Sequence, residues 1–141
     1  PGLHLVIKPH PAETPEVYRA VTAGARNVHD APTGAALPAL LAAARAVVTV
    51  NSTVAIDALA FGRPSVVIGL PNNLTPFVEA GLMLGAGTAD EIRAALSKVL
   101  YDQEFRSRVE GEAGAGRAAG DGQAAARSAD AILALTKRGR S

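Results

Sequence analysis

TVNSTVAIDALAFGRPSVVIG, residues 49–69, reads as strand, turn, helix, turn, strand. Ala46 to Val50 carries the β-branched residues of a strand, and Ser65 to Ile68 carries those of a second. Between them Val54 to Phe61 is apolar almost all round, which predicts a buried helix. Gly62-Arg63-Pro64 ends that helix. A strand, a helix and a strand this close together form a βαβ unit, which joins parallel strands. The first turn holds three small hydrogen-bonding residues in a row, Asn51, Ser52 and Thr53.

The rest of the chain repeats the alternation. Leu3, Leu5, Val6 and Ile7 form a short, nearly continuous apolar run, which predicts a strand buried on both faces. Thr14 offers an N-cap, Pro15 suits the first helical position and Glu16 favours a helix N-terminus. That helix should run to Ala23, with Gly24 as its stop. A weak strand is expected near Arg26 to His29, loop over Asp30 to Gly34, and a short helix over Ala35 to Ala44. Beyond the opening stretch, Gly69 to Asn73 is loop and a short helix follows near Pro76 to Ala80. Thr88-Ala89-Asp90-Glu91 has the form of a capping box and opens a helix to about Leu100. Gln103 to Val109 adds further helical turns, and Ala124 to Leu135 is a final amphipathic helix. Gly111 to Gly122 is rich in Gly and Ala and is the predicted flexible stretch. The pattern predicts an α/β fold, a Rossmann-like parallel sheet with helices on both faces in three α/β/α layers.

Composition narrows the function. A chain of 141 residues suits one compact domain, so 1–141 is read as a single domain. The formal net charge is +1, which supplies no strong field for nucleic acid or an anionic membrane. The basic cluster Lys137, Arg138 and Arg140 reads as a frayed, solvated terminus rather than a binding patch. The absence of cysteine removes disulfides and thiolate metal sites and fits a reducing, cytoplasmic setting. No apolar run approaches the ~20 residues of a membrane span, and no signal peptide is visible. The chain begins at Pro1 without Met, two residues before a strand, and reads as a piece of a longer protein.

In open parallel sheets, ligands bind outside the carboxyl ends of the strands. Two polar turns fall at such ends. Asn51, Ser52 and Thr53 combine hydroxyl and amide donors with a helix N-terminus, which favours an anion; the alternative is an ordinary helix cap. In Lys8-Pro9-His10-Pro11 the prolines stiffen the turn and fix how His10 projects. That imidazole can donate to a phosphate oxygen or act as acid or base, or be a loop histidine without a task. His4 and His29 lack such a context and are read as structural. Asp57 falls one turn after Ser52 and Thr53, where a carboxylate must be paired or exposed. It can accept from ribose hydroxyls or pair with Arg63. Glu79 has the corresponding choice between a ligand contact and a solvated helix end.

These residues carry a family resemblance. KPHP (8–11), VNSTVAIDALAFGRPSVVIG (50–69), VEAG (78–81) and GDGQAAAR (120–127) come in the order seen in C-terminal domains of GT-B glycosyltransferases. The branch of the bacterial UDP-N-acetylglucosamine 2-epimerases is similar, with its His-Pro turn, Ser-Gly-Gly turn, Gly-Lys-Pro and Val-Glu-Ala-Gly. Two departures separate the chain from that branch. Asn-Ser-Thr replaces Ser-Gly-Gly, so hydroxyls must stand in for close backbone approach. LTPF (74–77) stands where the epimerases have Glu-Arg-Pro-Glu. A His-Pro turn followed by a Ser-Ser or Ser-Thr turn also resembles bacterial sialyl-, capsule- and teichoic-acid-type transferases, which use CMP- or CDP-linked donors.

The resemblance implies the C-terminal, nucleotide-sugar-binding half of a GT-B-type glycosyltransferase of surface polysaccharide synthesis. An epimerase-like isomerase and a non-catalytic nucleotide-binding domain are the alternatives. It implies His10 by the nucleotide or its phosphates, Asn51, Ser52 and Thr53 at the diphosphate, Asp57 at the ribose and Glu79 near the sugar. The nucleotide is of UDP, CDP or CMP type and enters as substrate, with no cofactor and no metal. The N-terminal domain of the same protein is the expected partner. It would bring most catalytic groups, leaving the isolated chain inactive, and any peripheral membrane association would come through missing parts.

Overall fold

The computed structural model describes residues 2–10, 12–14, 16–32, 34–114 and 122–138. Its contacts group the chain into two compact units, Pro1–Ala39 and Leu40–Ser141, where the sequence reading expects one domain.

The first unit holds β1 (Leu5–Ile7), α1 (Glu16–Thr22) and β2 (Val28–Asp30). The strands pair in parallel, with Leu5 opposite Val28 and Ile7 opposite Asp30. β2 starts later than predicted because the chain before it is still turning: Ala25 N–H donates to the Thr22 carbonyl and Val28 N–H to that of Ala25. Pro15, the predicted first helical residue, lies outside the described residues. The expectation that β1 is buried on both faces is corrected. Leu5 is 51% exposed and Val6 48%. Two strands of three residues and one helix of seven give this unit too little mass to cover a sheet on both sides.

α2 (Leu37–Ala43) begins in the first unit and ends in the second. The second unit continues with β3 (Val47–Thr49), α3 (Val54–Ala60), β4 (Ser65–Ile68), α4 (Thr75–Glu79), β5 (Leu84–Ala86), α5 (Ala89–Tyr101), α6 (Gln103–Gly114) and α7 (Ala124–Arg138). β3, β4 and β5 lie side by side in chain order, all parallel. β4 is the central strand, and Val66 and Val67 are fully buried. Parallel strands joined by helical crossovers and flanked by helices are the predicted Rossmann-like α/β class.

α3 closes on the residues that end it in the sequence. Gly62 adopts φ 67°, which an L side chain resists. Its N–H donates to Leu59 and that of Arg63 to Ala58, the paired bonds of a Schellman motif. α3 then packs on α6, and α5 packs on β4 and β5. Met83, Val99, Phe105 and Val109 fill the space between these layers at 3% exposure or less. Burying each side chain of this size contributes about 1.5–3 kcal/mol. Arg45 donates to the Leu100 carbonyl and Arg106 to that of Val99, so two guanidiniums satisfy the last turn of α5.

β5 has no counterpart in the sequence reading. α6 runs past the predicted Val109 to Gly114, taking in the first residues of the predicted flexible stretch. Residues 115–121 of that stretch lie outside the described residues.

Candidate functional site

Because β3, β4 and β5 are parallel and adjacent, their carboxyl ends share one edge, and three loops leave it. The loop between β5 and α5 is closed by its own helix. Glu91 Oε2 accepts from Gly87 N–H at 2.7 Å and from Thr88 N–H at 3.1 Å, while Thr88 Oγ1 accepts from Glu91 N–H at 3.3 Å. This is the predicted capping box with both halves made. The two amides hold the Glu91 carboxyl below its ordinary pKa, since they bond its charged form. The helix N-terminus therefore already carries its anion.

The loop between β4 and α4 is pinned by Asn72, while Asn73 beside it is exposed and its side chain makes no hydrogen bond among the described residues. Asn72 Nδ2 donates to the Val50 carbonyl at 2.9 Å and the Gly69 carbonyl at 3.3 Å, and its Oδ1 accepts from Leu74 N–H at 2.8 Å. The bond to Leu74 is an Asx turn. The sequence reading gives Asn72 no role beyond loop, although Asn after Pro between a strand and a helix is a recognised Asx-turn signal.

The loop between β3 and α3 carries the larger cluster of unbonded polar side chains among the described residues. Asn51, Ser52 and Thr53 sit together on it, all exposed. Thr53 takes the N-cap position with φ −59° and ψ −10°, helical rather than extended values, and makes no side-chain cap bond. Ser52 Oγ accepts from Val54 N–H at 3.3 Å, and Thr49 Oγ1 accepts from Ser52 N–H at 3.3 Å. The side chains of Asn51 and Thr53 make no hydrogen bond among the described residues. The amides of Ala55, Ile56 and Asp57 are engaged by the carbonyls of Ser52 and Thr53. α3 has only seven residues. An anion here would meet side-chain donors more than the free helix amides that the sequence reading invokes.

Asp57 lies one turn into α3 and is exposed, which removes the burial cost raised by an apolar helix. It forms no ion pair among the described residues; Arg63 instead donates to the Ala42 carbonyl at 2.9 Å. Glu79 is exposed at the last position of α4, the end opposite the β4–α4 loop.

His10 belongs to the first unit, three residues beyond β1, and is exposed. Its Nδ1 accepts from Ala12 N–H at 3.1 Å. A neutral ring so bonded carries its proton on Nε2 and offers that N–H outward. Glu13 braces the turn, with Oε2 accepting from His10 N–H at 2.7 Å and from Tyr18 O–H at 2.9 Å. These bonds lower the Glu13 pKa, the His10 amide having the larger effect, and Glu13 raises that of Tyr18. His4 and His29 bond to each other, Nδ1 to Nε2 at 2.8 Å, with rings stacked.

Among the described residues no group of three or more His, Asp or Glu is placed to hold a metal ion. No helix among them is long and apolar enough to cross a membrane.

Fold and edge together define an α/β protein of parallel strands with an exposed polar turn after β3. Residues 1–82 match the family of capsule polysaccharide biosynthesis proteins, and the chain belongs to that family. The matched span includes His10, Asn51 to Thr53, Asp57, Asn72 and Glu79. Membership supports a role in polysaccharide synthesis. No curated protein matches the chain.

Proposed function

We propose that the chain is the donor-binding part of a GT-B-type glycosyltransferase of capsule or related polysaccharide synthesis. Its ligand is a sugar linked to UDP, CDP or CMP, and the phosphate rests on Asn51, Ser52 and Thr53. The observation that carries this reading is the contrast between the three strand-end loops. Among the described residues the β5–α5 loop is filled by Glu91 and the β4–α4 loop leaves one side chain, Asn73, unbonded, while the β3–α3 loop leaves two, Asn51 and Thr53, beside the Ser52 hydroxyl. Departure of a nucleotide develops charge on phosphate oxygens, and preset donors stabilise that charge. Asn51 Nδ2 and the hydroxyls of Ser52 and Thr53 are such donors. Asp57, one turn on, accepts from the ribose; Glu79, at the end of α4 away from this edge, is given no contact. The acceptor and most catalytic groups come from a further domain, so this chain alone does not turn over a nucleotide sugar.

Titration calorimetry with UDP, CDP and CMP tests the reading. A hydrogen bond to a charged partner contributes about 1.5–3 kcal/mol. Asn51→Ala and Thr53→Val should therefore each weaken binding about tenfold or more. If the wild type binds none of the three at millimolar concentration, or both variants bind as tightly as it does, the assignment is wrong. His10→Ala is tested in the same way, as a separate contribution.

A further inference from the structure

The Asn72 side chain ends on the Val50 carbonyl, and that carbonyl belongs to the peptide leading into Asn51. The Val50–Asn51 bond is trans, as the Leu70–Pro71 peptide is the only cis bond among the described residues. In a trans peptide C=O and N–H point in opposite directions across a rigid plane. A donor holding the Val50 oxygen therefore also fixes the Asn51 N–H, turning it away from the β4–α4 loop. That N–H has no hydrogen-bond partner among the described residues.

Asn72 is itself held against rotation. Its Oδ1 is committed to Leu74 N–H, its second Nδ2 contact is the Gly69 carbonyl, and its backbone N–H donates to Thr75 Oγ1 at 2.9 Å. Every one of these partners is backbone or a hydroxyl in the adjacent loop and helix start. The amide group is thus a fixed strut from the loop after β4 to the turn after β3.

We infer that Asn72 is a positioning residue for the nucleotide site. It sets the plane of the Val50–Asn51 peptide, and through it the direction in which the Asn51 amide and side chain meet phosphate. This rests on the reading of Asn51 to Thr53 as the phosphate turn. Asn72 touches no ligand in this scheme; it acts through the Val50 carbonyl alone.

The test uses Asn72→Ser. The shorter hydroxyl can still accept from Leu74 N–H, adds no charge that would repel an anion, and cannot reach Val50. Affinity for UDP, CDP and CMP is measured by calorimetry, and the backbone amides of Asn51, Ser52 and Thr53 are followed by NMR. Binding of the preferred nucleotide should weaken about fivefold or more, as expected for loss of one ordered hydrogen bond. The three amides should shift in the ligand-free variant and lose their nucleotide-induced shifts. Should Asn72→Ser fail to fold, Asn72→Ala takes its place in both measurements. A folded variant with wild-type affinity, or with unmoved amides at 51–53, overturns the inference. A wild type that binds none of the three nucleotides overturns the functional reading, and this inference with it, before any variant is compared.

Discussion

The carboxylate of Glu91 sits 2.7 Å from the amide nitrogen of Gly87, so the chain fills one of its own strand-end anion sites. The consequence is a pH-dependent contribution to folding. The folded pKa lies below the ordinary value of 4.5, so the unfolded state binds the proton first. The contribution is present above the unfolded value and is lost as pH falls through the folded one. In urea titrations, wild type should exceed Glu91→Gln in stability at pH 7. The gap should narrow as pH falls below about 4.5. An equal gap at pH 7 and pH 3 would contradict the assignment.

Gly85 is the middle residue of β5, and a Cβ there would overlap the Leu70 side chain and come within 3.2 Å of Val78 Cγ1. Leu70 and Val78 both pack against the core, so neither moves without loss of contact. Gly85→Ala should destabilise by about 1–3 kcal/mol, read from the urea midpoint at constant m-value. An unchanged midpoint would mean that Leu70 rotates away freely.

Ser65 is 1% exposed, and its Oγ has no hydrogen-bond partner among the described residues. A buried unpaired hydroxyl costs stability that alanine would not. Ser65→Ala should be neutral or stabilise by up to about 1 kcal/mol, unlike most core changes. A loss of more than about 1 kcal/mol by chemical denaturation would show that the hydroxyl is bonded in solution.

For His10, the bond from Ala12 N–H fixes the tautomer. Long-range proton–nitrogen NMR at pH 8 should find the proton on Nε2 and Nδ1 in the unprotonated range. The opposite tautomer would remove the outward-facing Nε2–H donor.

The sequence exposes most of this fold because its signals are local. The βαβ stretch at 49–69 is legible because Ser65 to Ile68 is β-branched and Gly62-Arg63 closes α3. The Thr88–Glu91 box can be read to the residue because it is four positions of one helix. β5 escapes because Leu84-Gly85-Ala86 has almost no strand propensity of its own. It is a strand because Val66 and Val67 offer their edge, and because a glycine lets Leu70 lie across it. β1 is legible as a strand, but its exposure depends on how many layers the unit owns. Asp57 shows the limit of periodicity: one outward position on an otherwise apolar helix decides whether a carboxylate is a burden or free. At the site, the polar turn is visible as three polar residues in a row. Asn72 is not, because its importance comes from a carbonyl 22 positions earlier in the chain.

The order of the second sheet also bears on how the chain reaches its native state. Val66 pairs with Val48, 18 positions before it, and with Leu84, 18 positions after it. Two loop closures of equal length carry nearly equal entropic cost, and both end on β4. A polypeptide emerging from the ribosome can complete the first closure before β5 has been synthesised, then add β5 to a finished edge. With β4 as the shared nucleus, lesions at Val66 or Val67 should slow refolding, whereas lesions in β5 should mainly hasten unfolding.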